Sequence, residues 1–141
     1  MKRRSRSLLI LTMFALPLLG GCKKQKYEFD TKSPAHAGQA ELVLAVDKTG
    51  NGTIKLEFTH LAPPERIDSS FRSYVVWAQS DGKDPHKLGI LEYSEKKRTG
   101  TLDATFSDDR MKIIVTLEKD TSVNMPVGTR VLEQEVTAPK G

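Results

Sequence analysis

From Glu41 onward, apolar and polar residues alternate in short runs, and this period of two constrains the fold more than any other feature of the chain. Residues 42–46 place Leu, Leu and Val on one face, and residues 54–58 place Ile, Leu and Phe on one face. Side chains of a β-strand point alternately to its two faces, so the alternation predicts strands with one buried face. Residues 49–52, Thr-Gly-Asn-Gly, are typical of a tight turn because Gly and Asn accept positive φ at little cost.

Seven short strands of this kind are predicted between residues 40 and 137, with turn signals between them and no amphipathic helix. The run Tyr74–Ala78 is apolar on both faces, which is typical of a central strand or of one whose outer face carries an aromatic strip. The fourth predicted strand is Leu88–Tyr93. This pattern predicts an all-β fold, a single immunoglobulin-like antiparallel β-sandwich, with a small barrel as the alternative. Residues 138–141 are predicted to be a frayed tail.

The N-terminus has the pattern of an export signal. Residues 1–7 carry four basic and no acidic side chains, and an apolar run follows over residues 8–19. Twelve residues of helix rise about 18 Å, which is too short for a permanent anchor across a hydrocarbon core of about 30 Å. This order and length are typical of a secretory signal peptide.

The apolar run closes on Leu19, Gly20, Gly21 and Cys22, and this group resembles the lipobox of bacterial lipoproteins. The resemblance implies that diacylglycerol is added to the Cys22 thiol and that residues 1–21 are cut off between Gly21 and Cys22. A membrane, reached through this lipid, is therefore an expected partner. The alternatives are a plain secretory signal with an incidental cysteine and a short uncleaved anchor. Lys23 stands where an inner-membrane retention signal would have Asp, which favours the outer membrane in an organism that has two membranes.

Cleavage at this position changes the charge of the protein. The whole chain has 22 Lys and Arg against 18 Asp and Glu, a net charge of +4. The four basic residues of the signal leave with it, so the mature chain has 18 residues of each sign and is neutral. A nucleic-acid partner is therefore not expected. Cys22 is the only cysteine, so the chain cannot form an internal disulfide.

Residues 22–39 show neither the period of a strand nor that of a helix, and Pro34 and Gly38 interrupt them. We predict a lipidated, basic tether, flexible or loosely docked, that lets a sandwich domain over residues 40–137 stand away from the membrane. Its lysines at 23, 24 and 26 would either lie near anionic headgroups or form a solvated charge cluster.

A series of short motifs follows between Tyr74 and Leu132. They are Tyr-x-x-Trp at 74–77, Leu-Gly at 88–89, Val-Thr-x-Glu at 115–118 and Pro-x-Gly at 126–128. This series resembles the C-terminal extracytoplasmic domain of anti-sigma-K-type factors, which is a β-sandwich. The resemblance implies a sensory or protein-binding role at the cell envelope. It does not extend to sigma binding, because the cytoplasmic helical domain and transmembrane helix of those factors have no counterpart in this sequence.

Few residues offer chemistry. Tyr74 and Trp77 could line a carbohydrate or peptide groove, although a lone Trp on such a strand more often fills the core. Asp81, Asp84 and His86 are the nearest approach to an ion site, although a solvated loop also accounts for them. We find no motif for nucleophilic, acid–base or phosphate-binding chemistry, and we expect no metal and no cofactor.

The sequence therefore predicts a non-enzymatic, lipid-anchored envelope protein, facing the periplasm or the surface, whose sandwich binds a protein or senses the state of the envelope. A small-ligand or ion-binding module is the alternative. An enzyme of an unrecognised kind is the third hypothesis.

Overall fold

The structure is a computed structural model that describes residues 21–35 and 37–140. The predicted signal peptide lies outside the described residues except for Gly21. Nine strands and one short helix follow one another in the described part of the chain: β1 Lys23–Asp30, β2 Gln39–Val46, β3 Gly52–Thr59, α1 Pro64–Ile67, β4 Ser73–Gln79, β5 His86–Ile90, β6 Glu92–Ser94, β7 Thr99–Phe106, β8 Arg110–Glu118 and β9 Thr129–Thr137.

The strands form two antiparallel sheets packed as a sandwich. The first sheet has the order β1-β2-β3-β7-β6, and the second has the order β5-β4-β8-β9. When β1 is set aside, the first order is the ABED sheet of an immunoglobulin domain, and the second is its CFG sheet with strand C′ added. The predicted all-β, immunoglobulin-like sandwich is therefore confirmed.

The main core lies between the two sheets and is built from the alternate apolar positions that the sequence predicts. Each sheet contributes side chains that are at most 1% exposed; they include Leu42, Leu44, Ile54, Leu56 and Phe58 from the first sheet and Tyr74, Val76, Ile113, Val115 and Leu117 from the second. The predicted central strand Tyr74–Ala78 lies within β4, between β5 and β8, and is buried on both faces.

The predicted strand Leu88–Tyr93 is two strands in different sheets. Ile90 pairs with β4, whereas Tyr93 pairs with β7. Between them Leu91 turns its side chain into the core, and its amide donates to the Tyr74 carbonyl at 2.9 Å. A strand that crosses from one sheet to the other keeps a continuous apolar pattern, so the pattern alone does not show the crossing.

The structure differs most from the sequence analysis at residues 22–39, the predicted flexible tether. Lys23–Asp30 is a strand that pairs with β2 over its whole length of eight residues. Tyr27 and Phe29 alternate with charged residues and pack against the main core, with their ring centroids 5.8 Å apart. These two aromatic side chains give an otherwise polar segment a buried face, so the sandwich begins at residue 23 rather than at residue 40.

β1 and the loop after it also connect the two sheets. The Tyr27 hydroxyl donates to the Thr137 carbonyl at 2.9 Å and accepts from the Thr137 amide at 3.0 Å. The Lys32 amide donates to the Val131 carbonyl at 2.7 Å. Residues that were predicted to be a tether therefore close the sandwich along the edge where β1 and β9 meet.

Replacing both Tyr27 and Phe29 with Ser should lower the free energy of unfolding by about 3 kcal/mol, because half-buried aromatic surface and two hydrogen bonds are lost. Chemical denaturation of residues 22–141 carrying Cys22→Ser measures this. Lys24→Ser, at an exposed position of the same strand, is the control and should change the free energy by no more than about 0.5 kcal/mol. Equal stability of the double variant and its parent would contradict a structural role for β1.

Candidate functional site

The outer face of the second sheet carries a smaller apolar cluster of its own. Val75 and Trp77 of β4 and Ile114 of β8 are fully buried there, and Val123 packs against them. Val123 belongs to the loop of residues 119–128 between β8 and β9, which we term the capping loop. The loop covers apolar side chains that would otherwise face water, so the second sheet is covered on both faces around Trp77 and Ile114.

Polar side chains connect this cluster to the loop. Trp77 Nε1 donates to Thr116 Oγ1 at 2.9 Å, and the Thr116 hydroxyl donates to Glu118 Oε1 at 2.7 Å. Lys87 Nζ lies 5.5 Å from the centre of the Trp77 ring and donates to the Thr121 carbonyl at 2.6 Å. The ammonium group therefore makes a cation–π contact with the buried ring and holds the first part of the capping loop.

Glu118 holds the other end of the capping loop. Its carboxylate is buried, with the residue only 1% exposed, and Oε1 also accepts from the amides of Val127 at 3.2 Å and Gly128 at 3.0 Å. Three donors on one oxygen offset the cost of burying the charge. A Cβ at Gly128 would lie 1.8 Å from the Leu117 carbonyl oxygen, so only glycine permits this close approach.

The outward side of the capping loop is apolar. Met125 is 51% exposed and Val127 is 73% exposed, and we term this pair the apolar tip. With Ile90 they are the only large hydrophobic side chains exposed in residues 21–35 and 37–140. Glu118 fixes the backbone at Val127, so the tip presents apolar surface from a loop that is already ordered. Such a surface can be buried against another molecule at little further cost in conformational entropy.

The two aromatic candidates do not form one surface. Tyr74 and Trp77 lie on opposite faces of β4, Tyr74 in the main core and Trp77 in the outer cluster, and both are fully buried. The Tyr74 hydroxyl donates to the Ala62 carbonyl at 2.7 Å, and burial raises the pKa of this phenol. A groove lined by their rings is therefore not formed. Trp77 fills a core, as the alternative interpretation had it, but that core lies outside the sheets rather than between them.

The acidic candidates lie in the loop between β4 and β5 and are exposed. Asp81 Oδ2 lies 3.9 Å from Arg110 Nη1, and Asp84 and His86 are exposed to solvent. In the described ranges 21–35 and 37–140, no three His, Cys, Asp or Glu side chains are grouped so that they could hold a metal ion. Asp81, Asp84 and His86 therefore belong to an exposed loop whose charged side chains face solvent or a surface ion pair.

Cys22 is exposed and immediately precedes β1. A Cβ added at Gly21 would meet no heavy atom of the described residues within 4 Å. In the part of the chain that the structure describes, no helix is both long enough and apolar enough to span a membrane.

No protein-family model, curated protein or solved structure matches this chain. Glu118, Met125 and Val127 are not among the site residues predicted from the sequence. A local signal was present at alternate positions of β8, where Thr116 and Glu118 interrupt an apolar strand, and in the Met-Pro-Val run of the loop. Their connection depends on a contact between residues nine and ten positions apart, which periodicity does not show.

Glu118→Ala should lower the free energy of unfolding by about 3 kcal/mol, because it leaves the Thr116 hydroxyl and two loop amides without their acceptor. Glu118→Gln keeps an acceptor oxygen of the same reach and should lower the free energy of unfolding by only about 1 kcal/mol. Thermal or chemical denaturation gives both values, and exposed Glu135→Ala is the control. Hydrogen exchange should show faster exchange at Val127 and Gly128 in the Ala variant; unchanged exchange there would contradict the role of Glu118 in holding these two amides.

Proposed function

We propose that this chain is a non-enzymatic envelope lipoprotein, held on a membrane by lipid on Cys22, that binds a protein through the apolar tip of its capping loop. The proposal of protein binding rests on the exposure of Met125 and Val127 on a loop whose backbone is fixed by buried Glu118. The lipid anchor is supported by the lipobox-like residues 19–22 and by the open surroundings of Cys22. In an organism with two membranes Lys23 favours the outer one, with the domain facing the periplasm or the surface.

The shape and chemistry of the apolar tip favour a protein over a small ligand. Small-molecule sites are concave and enclose most of their ligand. Met125 and Val127 are 51% and 73% exposed, so they present open surface to the solvent instead of enclosing a ligand. Met adapts its shape to varied partners and is enriched at protein interfaces.

The resemblance to the outer domain of anti-sigma-K-type factors supports the same role. It implies an extracytoplasmic sandwich that senses or binds at the envelope, and its Pro-x-Gly motif at 126–128 lies in the capping loop, with Val127 at its centre. The Val-Thr-x-Glu motif supplies Thr116 and Glu118, the residues that hold the loop. Two of the resembling motifs thus meet at the apolar tip.

Lipidation is tested by comparing the full-length chain with Cys22→Ser in a bacterial host. We expect the parent chain to fractionate with membranes and its N-terminal peptide to begin at Cys22 with the added mass of acyl chains. The Cys22→Ser protein should lose this mass and remain uncleaved or become soluble. Unchanged membrane fractionation and an unmodified Cys22 in the parent would contradict the proposed anchor.

Protein binding is tested with a photo-crosslinking amino acid placed at position 125 or 127 of the lipidated protein in cells. We expect one discrete crosslinked protein at each position. The same probe at Lys55, on the outer face of the first sheet, is the matched control and should give none. The same product from position 55 would contradict binding through the tip. In a further variant the probe is placed at Asn124 and both Met125 and Val127 are changed to Ser; a product that persists in this variant would contradict it as well.

A further inference from the structure

The position of Cys22 leaves no free chain between the predicted lipid and the folded domain. β1 begins at the next residue, Lys23, which pairs with Val46 at the end of β2. Consecutive Cα atoms are 3.8 Å apart, so a lipid on Cys22 is bonded to a residue that adjoins the sheet directly. The glycerol of such a lipid lies at headgroup level, and the start of β1 must lie close to it.

β1 is bound along its whole length and cannot serve as a spacer while the sandwich stays folded. All eight of its residues are in register with β2. Tyr27 also joins Thr137 of the second sheet through two hydrogen bonds, and Phe29 packs on the core. Lengthening the connection would require these contacts to break.

Four other segments lie at the same end of the sandwich as Cys22. The β2–β3 turn, residues 47–51, follows Val46, and the β7–β8 turn, residues 107–109, follows Phe106, which pairs with Gly52. The β4–β5 loop lies beside the β7–β8 turn, where Ser80 Oγ donates to Asp108 Oδ2 at 2.5 Å. The Ala138 amide donates to the Asp109 carbonyl at 2.8 Å, which brings residues 138–140 there as well. We term Cys22 and these segments the anchor end.

The exposed side chains of the anchor end suit the polar layer of a bilayer. The three large hydrophobic side chains exposed in the described part, Ile90, Met125 and Val127, all lie elsewhere. Lys23, Lys24 and Lys48 are exposed at this end, together with the acidic side chains of Asp47, Asp81, Asp84 and Asp109. The three lysines lie nearest to Cys22 and to the turn that follows its neighbouring strand, where ammonium groups can contact lipid phosphates. Glu118, which binds the Val127 amide of the apolar tip, is the last residue of β8, and nine residues of strand put it about 30 Å from the start of β8 at the anchor end.

We infer that the lipidated sandwich rests directly on the bilayer, with its anchor end against the headgroups and its apolar tip pointing away from the membrane. This rests on the proposed lipidation of Cys22. The partner of the anchor end is the phospholipid headgroup layer. The same placement means that a protein bound at the apolar tip approaches from the side opposite to this membrane.

Fluorescence quenching in vesicles tests this orientation. The Cys22 thiol is consumed by the lipid, so a cysteine introduced as Lys48→Cys at the anchor end, or as Asn124→Cys in the capping loop, is the only thiol available for a dye. The lipidated proteins are placed in vesicles of phosphatidylethanolamine and phosphatidylglycerol that carry a nitroxide on the headgroup or deep in the acyl chain. We expect headgroup quenching several-fold stronger at position 48 than at position 124, and weak quenching by the deep nitroxide at both.

A matched control inserts about six Gly and Ser residues between Cys22 and Lys23, which should reduce headgroup quenching at position 48 several-fold. Equal quenching at positions 48 and 124, or no effect of the insertion, in protein whose mass includes the lipid would overturn the orientation and leave the lipoprotein proposal standing. Absence of lipid from Cys22 in the same mass measurement would instead overturn the proposed anchor and the orientation with it.

Discussion

The pairing of β1 with β2 fixes Cys22 at one end of the sandwich, opposite the end at which Glu118 holds the apolar tip. It adds an eight-residue strand to the ABED sheet, and Tyr27 extends the contact to Thr137 of the other sheet. Because the strand begins directly after Cys22, the fold leaves no spacer between an anchor at that residue and the core. A protein of this kind would be oriented by its anchor as well as retained by it, so its two ends would have different surroundings.

The second sheet supports this division through its outer face. Trp77 and the cluster around it are sealed by the capping loop, whose closing contact is the bond from the loop amides to buried Glu118. Lys87 contributes from the neighbouring strand by contacting both the Trp77 ring and the Thr121 carbonyl. The loop therefore covers an apolar cluster on its inner side and exposes the apolar tip on its outer side, and both depend on the same fixed backbone.

The features that could be predicted from the sequence are those that depend on local pattern. Alternation together with Gly and Asn turn residues was sufficient for the fold class and for the hairpin around residues 47–52. A run that is apolar on both faces indicated the central strand at Tyr74–Ala78. β1 escaped prediction because only two aromatic residues, at 27 and 29, mark a buried face within a charged and Pro-interrupted segment. The sheet crossing at Leu91 and the contact of Glu118 with the loop depend on distances in space, which the periodicity of a sequence does not report. For the same reason the candidate aromatic pair proved to lie on opposite faces of one strand.

Residues 23–30 belong to the folded sandwich and are not a tether. Backbone ¹⁵N relaxation of residues 22–141 carrying Cys22→Ser tests this claim, because it reports the order of each amide on the picosecond-to-nanosecond timescale. We predict order parameters of about 0.85 for residues 23–30, equal to those of β2 and β3. Values below about 0.6 throughout this segment, with rigid values beginning only near residue 39, would contradict the claim.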